Sequence, residues 1–407
     1  MRIAYFYFGE VRIAYGSAAS MALNGHDVCV IEPDETLTAE EQTSLAVEVG
    51  VDGDAQSVML PILKTPSAYS SSSLISLFHN PTPSLFEQVA ATEPDALITS
   101  YQYFSLAKPI ARRLNTPLML VHIGFPTLFN LKEYWMARSF SRMLFSPAGF
   151  AFNLYAAHRS DCVLTTQLKT ATIFRKFGVE NVTNVLPTYT RFPHKDQYAS
   201  FFEESRTTEE KVLPTDYVLA IISLARDARL YNYQLRGLDF LCEIAEKLKD
   251  IDFVVVGAAR ADVKEPFKYA HLKNVHLVGA VVDDAKLADI YRRAVCVVCS
   301  ILAPSFPTRL FEAFFYAKAV ISTPVALDCY VGLQDGSNIL LATRPSEAAD
   351  LVRRVFDEGE LRARMEANAR AYYVKLFSPL AHCRGLEEAY NSCCAHRAKG
   401  KVPQTTT

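Results

Sequence analysis

The chain has 407 residues, half of them hydrophobic and 21% charged, which excludes an intrinsically disordered protein and leaves room for two globular cores. Its net charge is only −2, so nothing overall points to a nucleic-acid partner, and no run reaches the roughly 18 apolar residues of a membrane span. The N-terminal MRIAYFYFGEVRIAYGS lacks an apolar core followed by a small-residue cleavage site, so a cytoplasmic location is the expectation.

In chain order, RIAYFYF (2–8) predicts a strand, SAASMALNG a helix ending at Gly25, and DVCVIEP (27–33) a second strand. DALITS (95–100), a helix through LAKPIARRLN, PLMLVHI (117–123), DCVLTT (161–166), another helix and NVTNVLP (181–187) continue the alternation. Strands separated by helical segments indicate parallel βαβ units. Polar, charged text at 192–216 reads as a linker. The rhythm then restarts with DYVLAIISL (216–224), a helix Gly237–Lys249, and strands at 252–258 and 274–280. A helix at 284–293, CVVCS (296–300), a helix at 308–317 and AVIST (319–323) follow. Two helices are expected over 346–392, with a frayed tail from 395. The expected fold class is α/β, two doubly wound Rossmann-like domains facing a central cleft. Its expected parts are 1–200, 212–375, and a final segment 376–407 whose helix returns toward the first domain.

Several features bear on chemistry. The nine cysteines, an odd number mostly in apolar runs, are expected as reduced core thiols, and CVVC has no second pair that would make a zinc site. VDGDA (51–55) and KDIDF (249–253) formally match an Asp-x-Asp metal motif, but the first reads as a turn and the second leads into a strand. Between Lys108 and Gly178, ten basic residues face two acidic ones, +8 locally and −10 for the remainder. Finally, PSFPTRLFEAFFYAKAVISTPVA (304–326) sets Arg309 and Glu312 three apart, on one helical face. They form either a surface ion pair or part of a ligand site.

The second half resembles the donor domain of GT-B glycosyltransferases, particularly family 4. Ala225-Arg226 stands where that family has Gly-Arg, Arg236-Gly237 where it has Lys-Gly, and VVVGA and VHLVGA supply Gly257 and Gly279. PTRLFEAFFYAKAVIST is close to the P-T-K-L-F-E-Y-x-x-x-x-K-P-V-I form of bacterial polysaccharide enzymes. In the first half GHDVCVIEP and PTYTRFP fit more loosely. The chain departs from the pattern at Pro304, where the first glutamate of E-x7-E would fall, and at Tyr189-Thr190, where Asn-Gly is usual.

The resemblance implies transfer of a sugar from a nucleoside diphosphate sugar to an acceptor hydroxyl, with polysaccharide biosynthesis as the setting. Donor binding would fall to Arg226, Arg236, Thr308, Arg309, Leu310, Glu312 and Gly257, the arginines on phosphate and Glu312 on ribose. The loop with Arg12, and Gly16 and Ser17 opening a helix, would contact donor or acceptor. His122 is the candidate catalytic residue, as base or as a hydrogen-bond partner of the donor sugar, with Glu10 and Glu133 as alternative bases. No cofactor and no essential metal are expected. Arg138, Arg142 and Arg159 alternate with Met136, Phe140 and Leu144 in the basic region, as in a helix at an anionic membrane surface. Peripheral attachment and a lipid-linked or cell-surface glycan acceptor are therefore expected. The alternatives are a nucleotide-sugar-binding scaffold subunit and a nucleotide-sugar epimerase of the same fold.

Overall fold

The computed structural model describes residues 1–6, 11–34, 41–51, 54–66, 81–122, 140–188, 190–191, 213–222, 237–257, 268–279, 281, 283–300 and 308–400. The chain divides into two compact units: Met1–Phe129 with Phe145–Pro193 and Leu376–Thr407, and Asn130–Leu144 with His194–Lys375.

The first unit holds β1 (Arg2–Phe6), β2 (Asp27–Asp34), β3 (Glu41–Val51), β4 (Asp54–Pro66), β5 (Ala96–Ser100), β6 (Leu118–His122), β7 (Cys162–Thr165), β8 (Val182–Asn184) and β9 (Thr190–Arg191). Their order is β8-β7-β6-β5-β1-β2-β4-β3-β9. All pairs are parallel except those made by β3, which runs antiparallel to β4 and β9. β1 is central, and Ile3, Ala4, Tyr5 and Phe6 are each no more than 3% exposed. That continuous burial is what a parallel strand covered on both faces requires.

The second unit holds β10 (Tyr217–Ile221), β11 (Asp252–Val256), β12 (Val275–Gly279), β13 (Cys296–Cys299), β14 (Ala319–Ser322) and β15 (Leu340–Leu341). All run parallel in the order β12-β11-β10-β13-β14-β15, which is the 3-2-1-4-5-6 winding of a dinucleotide-binding sheet. Its core gathers Val218, Ala220, Phe253, Val255, Cys296, Val298 and Ile321 from the strands with Leu238, Leu241 and Ile244 from a covering helix. Asn274 fastens this layer, its side-chain amide donating to the Ala245, Leu248 and Ile251 carbonyls at 2.9–3.1 Å.

Three expectations are corrected, and a hairpin is added that the reading in chain order did not contain. The first helix is Val11–Leu23, so Gly16 and Ser17 lie in its second turn and do not open it. Gly16 is there because a Cβ would stand 2.0 Å from Thr190 Oγ1, so only glycine lets the helix approach that strand. β3 and β4 form a long hairpin joined across Asp52 and Gly53, with Val51 opposite Asp54. The C-terminal part contains three helices, Pro345–Asp357, Gly359–Phe377 and Pro379–Gly400, the last two separated at Ser378-Pro379 because proline cannot continue a helix. The last helix also extends to Gly400, into the stretch expected to fray. Arg397 holds it down by donating to Asn115 Oδ1 at 2.8 Å and pairing with Asp161 at 3.5 Å.

Candidate functional site

The helix Thr308–Phe315 carries the densest cluster of expected ligands. Phe311, Phe314 and Phe315 bury its apolar face, and Leu310 is fully buried. What Leu310 offers a ligand is therefore its backbone N–H, in the first turn, where amides lack helical partners. Thr308 is exposed at the same end.

Arg309 and Glu312 do not pair with each other among the described residues. Arg309 is 8% exposed and donates from Nη1 to the Ile221 carbonyl at 2.5 Å. Ile221 ends β10, so the guanidinium sits at the carboxyl end of the strand that opens the winding order. Its Nε is buried without a partner, and among the described residues it meets no carboxylate. Glu312 Oε2 instead accepts from the Tyr291 hydroxyl at 3.0 Å. Tyr291 is fully buried on the helix Asp284–Arg293 and stacks on Tyr316, ring centroids 4.7 Å apart at 17°. This support was not among the sequence-based candidates. The only hint in the sequence is an aromatic residue near the end of the preceding helix.

Glycines line the same end of the sheet. Gly257 has φ 92° and follows β11, and its N–H donates to the Gly279 carbonyl at 2.7 Å. Its amide is thus engaged, and what it can give a ligand is close backbone approach. Gly237, at φ 78°, caps the helix Leu238–Lys247, where a Cβ would lie 2.2 Å from the Ser300 carbonyl oxygen. Arg226 and Arg236 lie outside the described residues, as do Glu10, Glu133 and Pro304.

In the first unit His122 ends β6, 3% exposed, with its ring 5.1 Å from Phe174 edge-on and 6.1 Å from Tyr101. Ser17 is turned inward. The His382 Nδ1–H donates to the Leu186 carbonyl at 2.6 Å, which leaves Nε2 to accept from the Ser17 hydroxyl at 2.7 Å. The Tyr5 hydroxyl reaches Ser17 Oγ at 3.2 Å. Burial lowers the His382 pKa to about 4, so the ring stays neutral. Arg12 lies on the same helix, its side chain outside the described residues.

The formal metal motif at 250–252 is otherwise engaged: Asp250 pairs with Arg353 at 2.6 Å and Asp252 with His276 at 2.7 Å. Both cysteines of CVVC are buried thiols, with burial pushing Cys296 up to about 12 and Cys299 to about 11. All nine cysteines are free.

Residues 224–358 match the family described as glycosyl transferases group 1. No curated protein matches the chain by sequence. Among solved structures, HepE of Anabaena in complex with UDP and glucose superposes with a TM-score of 0.59 at 14% identity, covering 96% of this chain and 100% of that one. Sucrose-phosphate synthase of Thermosynechococcus elongatus gives a TM-score of 0.63 at 13% identity, covering 97% and 99%. A glycosyltransferase of Rickettsia africae gives 0.58 at 14%, covering 97% and 98%. The fold is therefore GT-B, and within it residues 224–358 match the glycosyl transferases group 1 family. The class these define is a glycosyltransferase. Among the described residues, no helix is long and apolar enough to cross a membrane.

Proposed function

We propose that the second unit binds the diphosphate of a nucleoside diphosphate sugar at the helix Thr308–Phe315 and that the sugar passes to a hydroxyl of a lipid-linked or cell-surface glycan. The observation that carries this reading is Arg309. A buried guanidinium whose described contact is one carbonyl is costly unless an anion completes it, and the adjacent first-turn amides favour the same charge. Arg226 and Arg236 belong to the same donor set by their positions in the family motif. Charge builds on the departing diphosphate as the anomeric bond breaks, so positioned cations lower that barrier without a divalent metal. Glu312, steadied by Tyr291, is suited to the ribose hydroxyls. His122 stands at a strand's carboxyl end, where doubly wound sheets bind their ligands. That UDP and UDP-glucose occupy HepE is consistent with a nucleotide-sugar donor here.

Membrane proximity draws support from the first unit's basic region. Tyr155 and Phe177 are 55% and 48% exposed, and Arg159, Lys169, Arg175 and Lys176 are exposed around them. Aromatic rings among cations suit an anionic interface. Met136, Phe140 and Leu144 have side chains outside the described residues.

The test is a screen of UDP- and GDP-sugars for thermal stabilisation and release of free nucleoside diphosphate, with and without EDTA. One donor should stabilise the protein and be consumed in EDTA as well. Arg309→Ala should lower kcat/KM by about 2–4 kcal/mol, roughly 30- to 1,000-fold. Undiminished kinetics in that variant would remove Arg309 from the site. Liposomes with anionic lipid should co-sediment the protein at low salt, and none pelleting would defeat the membrane reading.

A further inference from the structure

His26, Cys383 and Glu387 meet at the amino-terminal edge of the first sheet. His26 immediately precedes β2, while Cys383 and Glu387 are four apart on the helix Pro379–Gly400 and so share one face. His26 Nε2 lies 3.1 Å from Glu387 Oε1 and 3.4 Å from Cys383 Sγ, and all three atoms fall within 4.8 Å of one another. Cys383 is 3% exposed and the His26 side chain 10%, whereas the Glu387 side chain is 43% exposed.

A single imidazole nitrogen carries either one proton or one lone pair, so Nε2 can serve one of these neighbours well, not both. A cation among the three serves all of them. Zinc takes nitrogen and oxygen ligands at about 2.0–2.2 Å and thiolate at about 2.3 Å, which sets tetrahedral edges of roughly 3.3–3.6 Å. The two nitrogen-centred separations lie close to those edges.

We propose that His26, Cys383 and Glu387 bind a zinc-type divalent cation, with water completing the coordination on the exposed Glu387 side. On binding, the Cys383 S–H is exchanged for a sulfur–metal bond and its proton passes to solvent. Doubly wound sheets bind substrates at the carboxyl ends of their strands, and this cluster is at the opposite end. The ion is therefore structural. It ties the last helix to the first βαβ unit across 357 residues of sequence and takes no part in sugar transfer.

Cobalt(II) titration of the full chain tests this, because only a thiolate ligand gives sulfur-to-cobalt charge-transfer absorption in the near ultraviolet. The expected result is such a band saturating at one ion per chain and abolished by zinc. Zinc at a hundredfold excess over Kd should raise the unfolding midpoint over EDTA-treated protein by about 5 °C, and magnesium should not. Cys383→Ser and His26→Asn should lose the band and the zinc shift, Cys394→Ser should keep both, and Glu387→Gln should weaken binding about 10-fold or more. No band in the wild-type chain overturns the proposal, as does a band that survives Cys383→Ser. Because the readouts are metal binding and stability, failure here leaves the transferase reading intact.

Discussion

The second sheet runs through its six strands without interruption, while the first carries the same winding, with β4 as its third strand, and adds β3 and the short β9 beyond it. Right-handed crossovers impose the common order, and an added strand at an edge disturbs no existing pairing. The difference extends to the polar groups. In the second unit, positive-φ glycines and a buried arginine gather at the carboxyl ends of the strands. In the first, Gly16 and Ser17 serve internal contacts, one against Thr190 and the other against His382 from the last helix. Two frames of one design thus differ, one with a buried guanidinium at the carboxyl end of its first strand and the other latched to its own C-terminal segment.

That contrast can be broken most forcefully by acid. His382 has its pKa lowered from 6.5 to about 4 by burial, so the unfolded chain takes up this proton first as pH falls. The latch is fully stabilising above pH ~6.5 and loses ground from there to pH ~4, by about 3 kcal/mol at most and about 2 kcal/mol by pH ~5. Urea unfolding at pH ~7.5 and ~5 should show this loss, reduced in His382→Gln. Hydrogen exchange should place the acid-sensitive opening in the helix Pro379–Gly400. Equal acid sensitivity in the variant would show that the latch lies elsewhere.

Gly16→Ala probes the same region sterically. With 2.0 Å to Thr190 Oγ1, the added methyl should destabilise by about 1–3 kcal/mol, whereas Gly359→Ala, which meets nothing within 4 Å, should change the unfolding midpoint little or raise it.

The smallest effect sharpens the second unit. Tyr291→Phe removes one hydrogen bond to Glu312 and keeps the stack on Tyr316. The expected cost is about 1 kcal/mol, roughly fivefold in nucleotide affinity, with kcat nearly unchanged. Titration calorimetry with the nucleoside diphosphate checks it, and an unchanged Kd would separate Tyr291 from the ligand.

The second unit was the more legible in the sequence. Its strands are unbroken apolar runs such as VLAI, FVVV and CVVC, and its helix Asp284–Arg293 is announced by Asp283, whose side chain accepts from the Lys286 amide at 2.8 Å. The hairpin escaped because Gln42, Thr43 and Ser44 dilute its start, although Leu45, Val47 and Val49 alternate inward and Asp52-Gly53 is a strong hairpin pair. Site residues named by a local motif, such as Arg309 and Glu312, could be picked out. Partners distant in sequence could not: Tyr291 lies 21 residues from Glu312, and His382 lies 365 from Ser17. Side-chain contacts of that range follow from the tertiary fold, not from any periodicity in the chain.

The last helix has a consequence for synthesis. Residues 376–407 complete a unit begun at Met1, while the other unit ends at Lys375. Chains usually fold domain by domain from the amino terminus as they leave the ribosome. Here the order is inverted. The nascent first sheet must wait, with Ser17 and the seat of the final helix uncovered, until the other unit has been fully translated. A chaperone that shields apolar surface would have its longest engagement with the segment made first.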